Sequence, residues 1–137
     1  MKTYWQCPKC KRQFKRQGQQ HTCATKPLQD HFINKYAAYK LYQQLLKQIG
    51  TKVGKITVLS IPCCIHLFGR YDFMAILPKK DGVLELRFAL DRKLKSKRIF
   101  ACVPLSKNSY KNCLLIKSPK DINAELISWL KQSYNLK

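Results

Sequence analysis

The chain has 137 residues, 45% of them hydrophobic, which suffices for one modest core and gives no sign of a second large domain. Its 27 Lys and Arg against 7 Asp and Glu give a formal net charge of +20, which calls for an acidic partner and leaves too few carboxylates for a hard-cation carrier. The longest apolar runs, at 56–62 and 113–116, are far too short to span a bilayer.

The first element is a cysteine motif. Cys7 and Cys10 bracket Pro8-Lys9 across a tight turn, and after ten intervening residues His21-Thr22-Cys23 offers a second pair of ligands. Phe14 lies four positions after Cys10, where small ββα zinc modules bury an aromatic. The spacing predicts one structural zinc ion held by Cys7, Cys10, His21 and Cys23, in a knuckle or a finger with a shortened helical turn. Four protein ligands close the shell, and no Asp or Glu occurs before Asp30 to act as a general base, so a catalytic zinc is not expected. A segment this small buries too little apolar surface to fold without its metal. Lys9, Lys11, Arg12, Lys15 and Arg16 surround the motif as candidate phosphate contacts, although a solvated polar loop would carry the same residues.

Residues 1–26 carry seven basic and no acidic side chains, and the composition changes at Lys26-Pro27. The expected organisation is a zinc-binding module over 1–26 and an α+β domain over 27–137. From Leu28, the recurrence of Phe32, Tyr36, Tyr39, Leu46 and Ile49 predicts a helix with an interruption near Asn34 and a stop at Gly50. Alternating β-branched and aromatic runs then predict strands at 55–61, 63–68, 71–77, 83–90, 98–105 and 110–116. Turns are expected at Phe68-Gly69-Arg70-Tyr71 and at Lys79-Lys80-Asp81-Gly82, where Asp-Gly tolerates positive φ. Glu85 and Arg87 alternate with Leu84, Leu86 and Phe88, which predicts a sheet covered on one side with these two charges facing solvent. Ser118-Pro119-Lys120-Asp121 reads as the start of a closing helix over 119–134, with Ile122, Leu126, Trp129, Leu130 and Ser133 inward. The fold class is therefore α+β: an antiparallel sheet of about five or six strands flanked by an N-terminal and a C-terminal helix, behind a zinc knuckle or finger.

Two further groups bear on chemistry. Arg92, Lys93, Lys95, Lys97 and Arg98 concentrate five charges between two predicted strands and are expected to project from a sheet edge, as a hairpin tip able to track phosphates or as a solvated loop. Cys63-Cys64 with His66 and Asp72 has the composition of a nucleophile, base and orienter, but on an alternating strand such residues are as often core as catalytic. Cys102 and Cys113 read as core thiols, and Tyr39, Tyr42 and Tyr71 as packing residues or base-stacking platforms. No catalytic residue is assigned, and an enzyme is the weaker expectation.

The run Tyr4-Trp5-Gln6-Cys7-Pro8-Lys9-Cys10, Phe14, Gln19-Gln20-His21-Thr22-Cys23 and Asp30-His31-Phe32 resembles a family of bacterial proteins of unknown function. That family joins an N-terminal Trp-X-Cys-Pro-X-Cys…His-X-Cys zinc knuckle to a small α+β domain. The second part, through Lys55-Ile56-Thr57, Phe73 and Glu125-Leu126-Ile127-Ser128-Trp129-Leu130, is distantly similar to YdhG-like domains, which are related to a frataxin-like iron chaperone. Seven scattered acids do not suit iron handling, and the resemblance implies no activity.

The first residues run directly into the cysteine motif, without the apolar region of a signal peptide, so a cytoplasmic protein with reduced cysteines is expected. Charge and zinc together predict a nucleic-acid-binding protein, for DNA or RNA, acting mainly through the phosphate backbone. The alternative is a zinc-dependent interaction module for an acidic protein partner. An anionic membrane surface, or charge that serves solubility alone, would account for the same balance.

Overall fold

The computed structural model describes residues 5–8, 13–14, 17–18 and 25–136. Within the first 26 residues it places two short antiparallel strands, β1 (Trp5–Gln6) and β2 (Gln13–Phe14), with Trp5 opposite Phe14. A 3-10 turn (Leu28–Phe32) leads into helix α1 (Tyr36–Lys52). The expected interruption falls at Asn34, whose φ of 58° takes the chain out of the helical region. Gly50 does not stop the helix. It is exposed on the outer face and costs only propensity there; the chain turns at Gly54, where φ reaches 157° and both Val53 and Gly54 donate to the Ile49 carbonyl.

Six strands follow: β3 (Thr57–Ile61), β4 (Cys64–Phe68), β5 (Asp72–Pro78), β6 (Leu84–Leu90), β7 (Ile99–Ser106) and β8 (Ser109–Ile116). They form one antiparallel sheet in the order β3-β4-β5-β6-β8-β7. The β5–β6 turn uses Asp81 and Gly82 at φ of 61° and 75°, as the Asp-Gly pair implies. Helix α2 (Ala124–Tyr134) closes the domain after a 3-10 turn (Pro119–Asp121), with the Asn123 side chain accepting from the Leu126 amide as N-cap.

Ala38, Leu41, Tyr42, Leu45 and Ile49 of α1 and Leu126, Ile127 and Leu130 of α2 are buried in one core with Leu84, Leu86, Phe88 and Leu90 of β6. Both helices thus cover one face. Glu85, on the opposite face, is nevertheless buried, contrary to the expectation of a solvent-facing charge: the Arg87 guanidinium and the Lys79 ammonium both close on its carboxylate.

The connection from β6 to β7 departs further from expectation. β7 pairs with β8, and β8 lies between it and β6, so residues 91–98 form a crossover and not a hairpin tip. Fully buried Asn112 pins this crossover: its side-chain oxygen accepts from the Leu94 amide at 3.0 Å and its amide nitrogen donates to the Arg92 carbonyl at 3.1 Å. At the end of α2 the Tyr134 ring slides between two glycines. A Cβ at Gly69 would sit 2.5 Å from Tyr134 Cε2, and one at Gly54 2.7 Å from its Cζ. The Tyr134 hydroxyl donates to the Lys55 carbonyl and its ring meets Phe73 edge-on.

Candidate functional site

Of the four expected zinc ligands, Cys7 is described: it follows β1 and is buried. Cys10, His21 and Cys23 lie outside the described residues, as do Lys9, Lys11, Arg12, Lys15 and Arg16.

The five charges of 92–98 divide by environment. Arg98 is engaged inward: its guanidinium donates to the Asn123 and Glu125 side chains and to the Asp121 carbonyl, and lies 5.8 Å from the centre of the Trp129 ring. Arg92 bonds Asp91 and Gln132. Lys93 stands 5.6 Å over the Tyr110 ring, while Lys95 and Lys97 are exposed. Arg92 and Arg98 therefore fasten the crossover to α2, and the lysines are the side chains presented outward. Of the three tyrosines, Tyr42 is buried and burial pushes its phenol up to about 12, and Tyr71 donates to the Ser133 carbonyl. Both are packing residues. Tyr39 instead lines, with Phe32, Lys35 and exposed Tyr36, a shallow groove of about 500 Å³ at the start of α1.

The open face of the sheet brings together a group that the sequence composed but did not assign. On β4, Cys64 and His66 share one side because they are two residues apart, and the pairing of Phe68 with Asp72 carries Asp72 alongside His66 from β5. His66 Nδ1 lies 2.7 Å from Asp72 Oδ2, and His66 Nε2 lies 3.2 Å from Cys64 Sγ. Since a carboxylate only accepts, Nδ1 carries the proton, and Nε2 presents its lone pair to the thiol. Cys63 Sγ is 3.0 Å from Cys64 Sγ. Adjacent residues on a strand would point to opposite faces. Cys63 sits in the two-residue turn between β3 and β4, where Ile61 pairs with Cys64, and this brings the sulfurs together.

The order Cys–His–Asp is that of a nucleophile, a base and its orienter, yet the environment of the thiol works against that use. Burial raises the Cys64 pKa to about 12, reinforced by the Cys63 thiol and only partly countered by Arg87. A thiol held protonated is a weak nucleophile. Ligation needs the thiolate too, but a bound divalent cation itself displaces the thiol protons; Cys63, Cys64 and His66 could hold such an ion, their donor atoms all lying within 4.8 Å of one another. The sequence signal for the group was Cys-Cys-X-His across a hairpin with Asp six residues on; for Asn112, which was missed, it was a lone amide in the run before Cys113-Leu114. Cys113, across the sheet, is a buried thiol as expected, and Cys102 is half-buried.

Among the described residues, no helix is long and apolar enough to cross a membrane. No curated protein and no solved structure matches the chain. The family model described as a domain of unknown function, DUF5655, matches residues 29–137, and the chain belongs to that family.

Proposed function

We propose that the protein binds nucleic acid through contacts to the phosphate backbone, with little sequence discrimination, and does so in the cytoplasm. The observation that carries this reading is uncompensated charge. All seven acids lie among the described residues, and the only cationic Lys and Arg side chains there that pair with them are Lys79, Arg87, Arg92 and Arg98. The other described lysines, Lys95 and Lys97 among them, have no Asp or Glu partner. Such charges release counterions when they meet a polyphosphate, and that release supplies affinity without reading bases. A structural Zn2+ on Cys7, Cys10, His21 and Cys23 would order the segment before the α+β domain and present Lys9, Lys11, Arg12, Lys15 and Arg16. The ligand spacing, the burial of Cys7 and the resemblance to knuckle-bearing proteins support this.

Fluorescence anisotropy with single- and double-stranded DNA and RNA, repeated at several salt concentrations, tests the reading. Micromolar or tighter binding with a steep salt slope is the expected result. No binding at physiological salt would refute it and favour the second reading, an interaction module for a protein partner. That second reading has its own observation: Phe100, Val103 and Leu105 are 55%, 44% and 54% exposed on edge strand β7, where an apolar surface suits a partner.

A further inference from the structure

We propose that Cys63, Cys64 and His66 form a metal site on the open face of the sheet, separate from the N-terminal cysteine motif. It would take a thiophilic divalent cation such as Zn2+, with Asp72 orienting the histidine. Three features of the group argue for ligation over a structural hydrogen-bond chain. The first is the second sulfur. A chain from Cys64 to His66 to Asp72 is complete without Cys63, yet Cys63 is exposed and is still held 3.0 Å from Cys64. Burial does not force it there; the turn between β3 and β4 does.

The second is the pairing of His66 with Asp72 at 2.7 Å. Metal-bound histidines regularly donate their distal N–H to a carboxylate, which fixes the tautomer and strengthens the ligating nitrogen. Here that bond leaves Nε2 with its lone pair toward Cys64 Sγ, and Cys63 Sγ lies within 4.8 Å of it. The third is the fit. Zinc–sulfur bonds of about 2.3 Å and a zinc–nitrogen bond of about 2.0 Å put tetrahedral ligand atoms about 3.5–3.8 Å apart. The observed separations of 3.0 Å between sulfurs and 3.2 Å from Cys64 Sγ to Nε2 need to open by less than about 1 Å. Turning exposed Cys63 about χ1 would open the sulfur pair, while Cys64 and His66 need to part by only about 0.3 Å.

Two thiolates and an imidazole select Zn2+ over Mg2+, Ca2+ or Mn2+, whose preferred ligands are oxygens. On binding, both thiols lose their protons to solvent while His66 loses none, so one Zn2+ enters as two H+ leave. Three protein ligands leave a fourth position for water on the exposed side, beside Cys63.

The test uses the full chain, reduced and kept anaerobic, with Zn2+ and Co2+ as probes. Wild-type protein is expected to bind one more equivalent of Zn2+ than Cys63→Ser/Cys64→Ser, whatever the N-terminal motif contributes to both. Cobalt loading of Cys7→Ser/Cys10→Ser is expected to retain thiolate-to-metal charge-transfer absorption that the Cys63/Cys64 variant background removes. Asp72→Asn should keep the stoichiometry at saturation but weaken affinity ten- to a hundredfold. Because a change at buried Cys64 can disturb folding, the wild-type protein supplies an independent readout: long-range 1H–15N spectra should show His66 Nε2 shifting on Zn2+ saturation. Equal zinc content in wild type and Cys63→Ser/Cys64→Ser, or unmoved His66 nitrogens at saturation, would overturn the proposal.

Discussion

Replacing Asn112 with alanine tests how the crossover is held. Asn112 is fully buried, and its amide serves both the Leu94 N–H and the Arg92 carbonyl, two backbone groups that belong to no strand ladder. Truncation leaves both without their partner in a half-buried setting. Each unsatisfied group costs about 1–3 kcal/mol. Partial access of water to the crossover brings the total to about 2–4 kcal/mol, a large share of the roughly 5–15 kcal/mol that holds a domain together. Urea unfolding reads this directly: with a slope of about 2 kcal/mol per molar, the midpoint should fall by about 1–2 M while the slope stays constant. Hydrogen exchange adds a local measure, since the Leu94 amide should lose protection ahead of the β8 ladder. A loss below about 0.5 kcal/mol, or a Leu94 amide that stays protected, would mean that the crossover is held by Arg98 and its partners instead.

Gly69→Ala places a methyl carbon 2.5 Å from the Tyr134 ring, so it should destabilise by about 1–3 kcal/mol, and a double-mutant cycle with Tyr134→Leu should return a clear coupling in thermal melts. Burial, aided by the charge of Lys26, lowers the pKa of His31 below 6.5, and its Nε2 has no partner among the described residues. The unfolded chain therefore binds a proton first as pH falls through 6.5, so stability should drop below that pH and the drop should flatten in His31→Gln; an unchanged pH profile of melting temperature would rule this out. Neutralising Lys95 and Lys97 should lower the salt slope of duplex DNA binding by up to about two, at roughly 0.9 per phosphate, with stability unchanged. Arg98→Gln should instead lower stability by about 1–3 kcal/mol, since Asn123, Glu125 and the Asp121 carbonyl lose a shared donor.

The strands and helices were legible because each carries a local period. Leu84, Leu86 and Phe88 alternate with charge, and Asp81-Gly82 admits one kind of turn. Strand order was not legible. Alternation in β7 reads the same whether its neighbour is β6 or β8, and so residues 91–98 looked like a hairpin tip until the pairing placed β8 in between. The same limit hid the fate of Arg98, whose partners lie at 121–125. Burial of Glu85 depended on Lys79 reaching across the β5–β6 turn. For the Cys63–Cys64–His66–Asp72 group, every residue was visible in the sequence, but its convergence depends on a register between β4 and β5 that includes an irregularity at Leu67/Phe68.

The strand order also has a consequence for how the chain reaches this structure. β3 through β6 form a meander in which every strand pairs with its sequence neighbour, and β7 with β8 form a hairpin of their own. Both units can assemble from short-range encounters, which are fast. One long seam remains, β6 against β8, running from Leu84 opposite Ile116 to Leu90 opposite Tyr110. The hairpin must dock on the meander edge with its second strand first, and the eight residues between them set how far it can wander before it does. The rate-limiting step of folding is thus expected to be closure of this seam, with Leu86 and Leu114 giving higher φ-values than Val58 at the far edge.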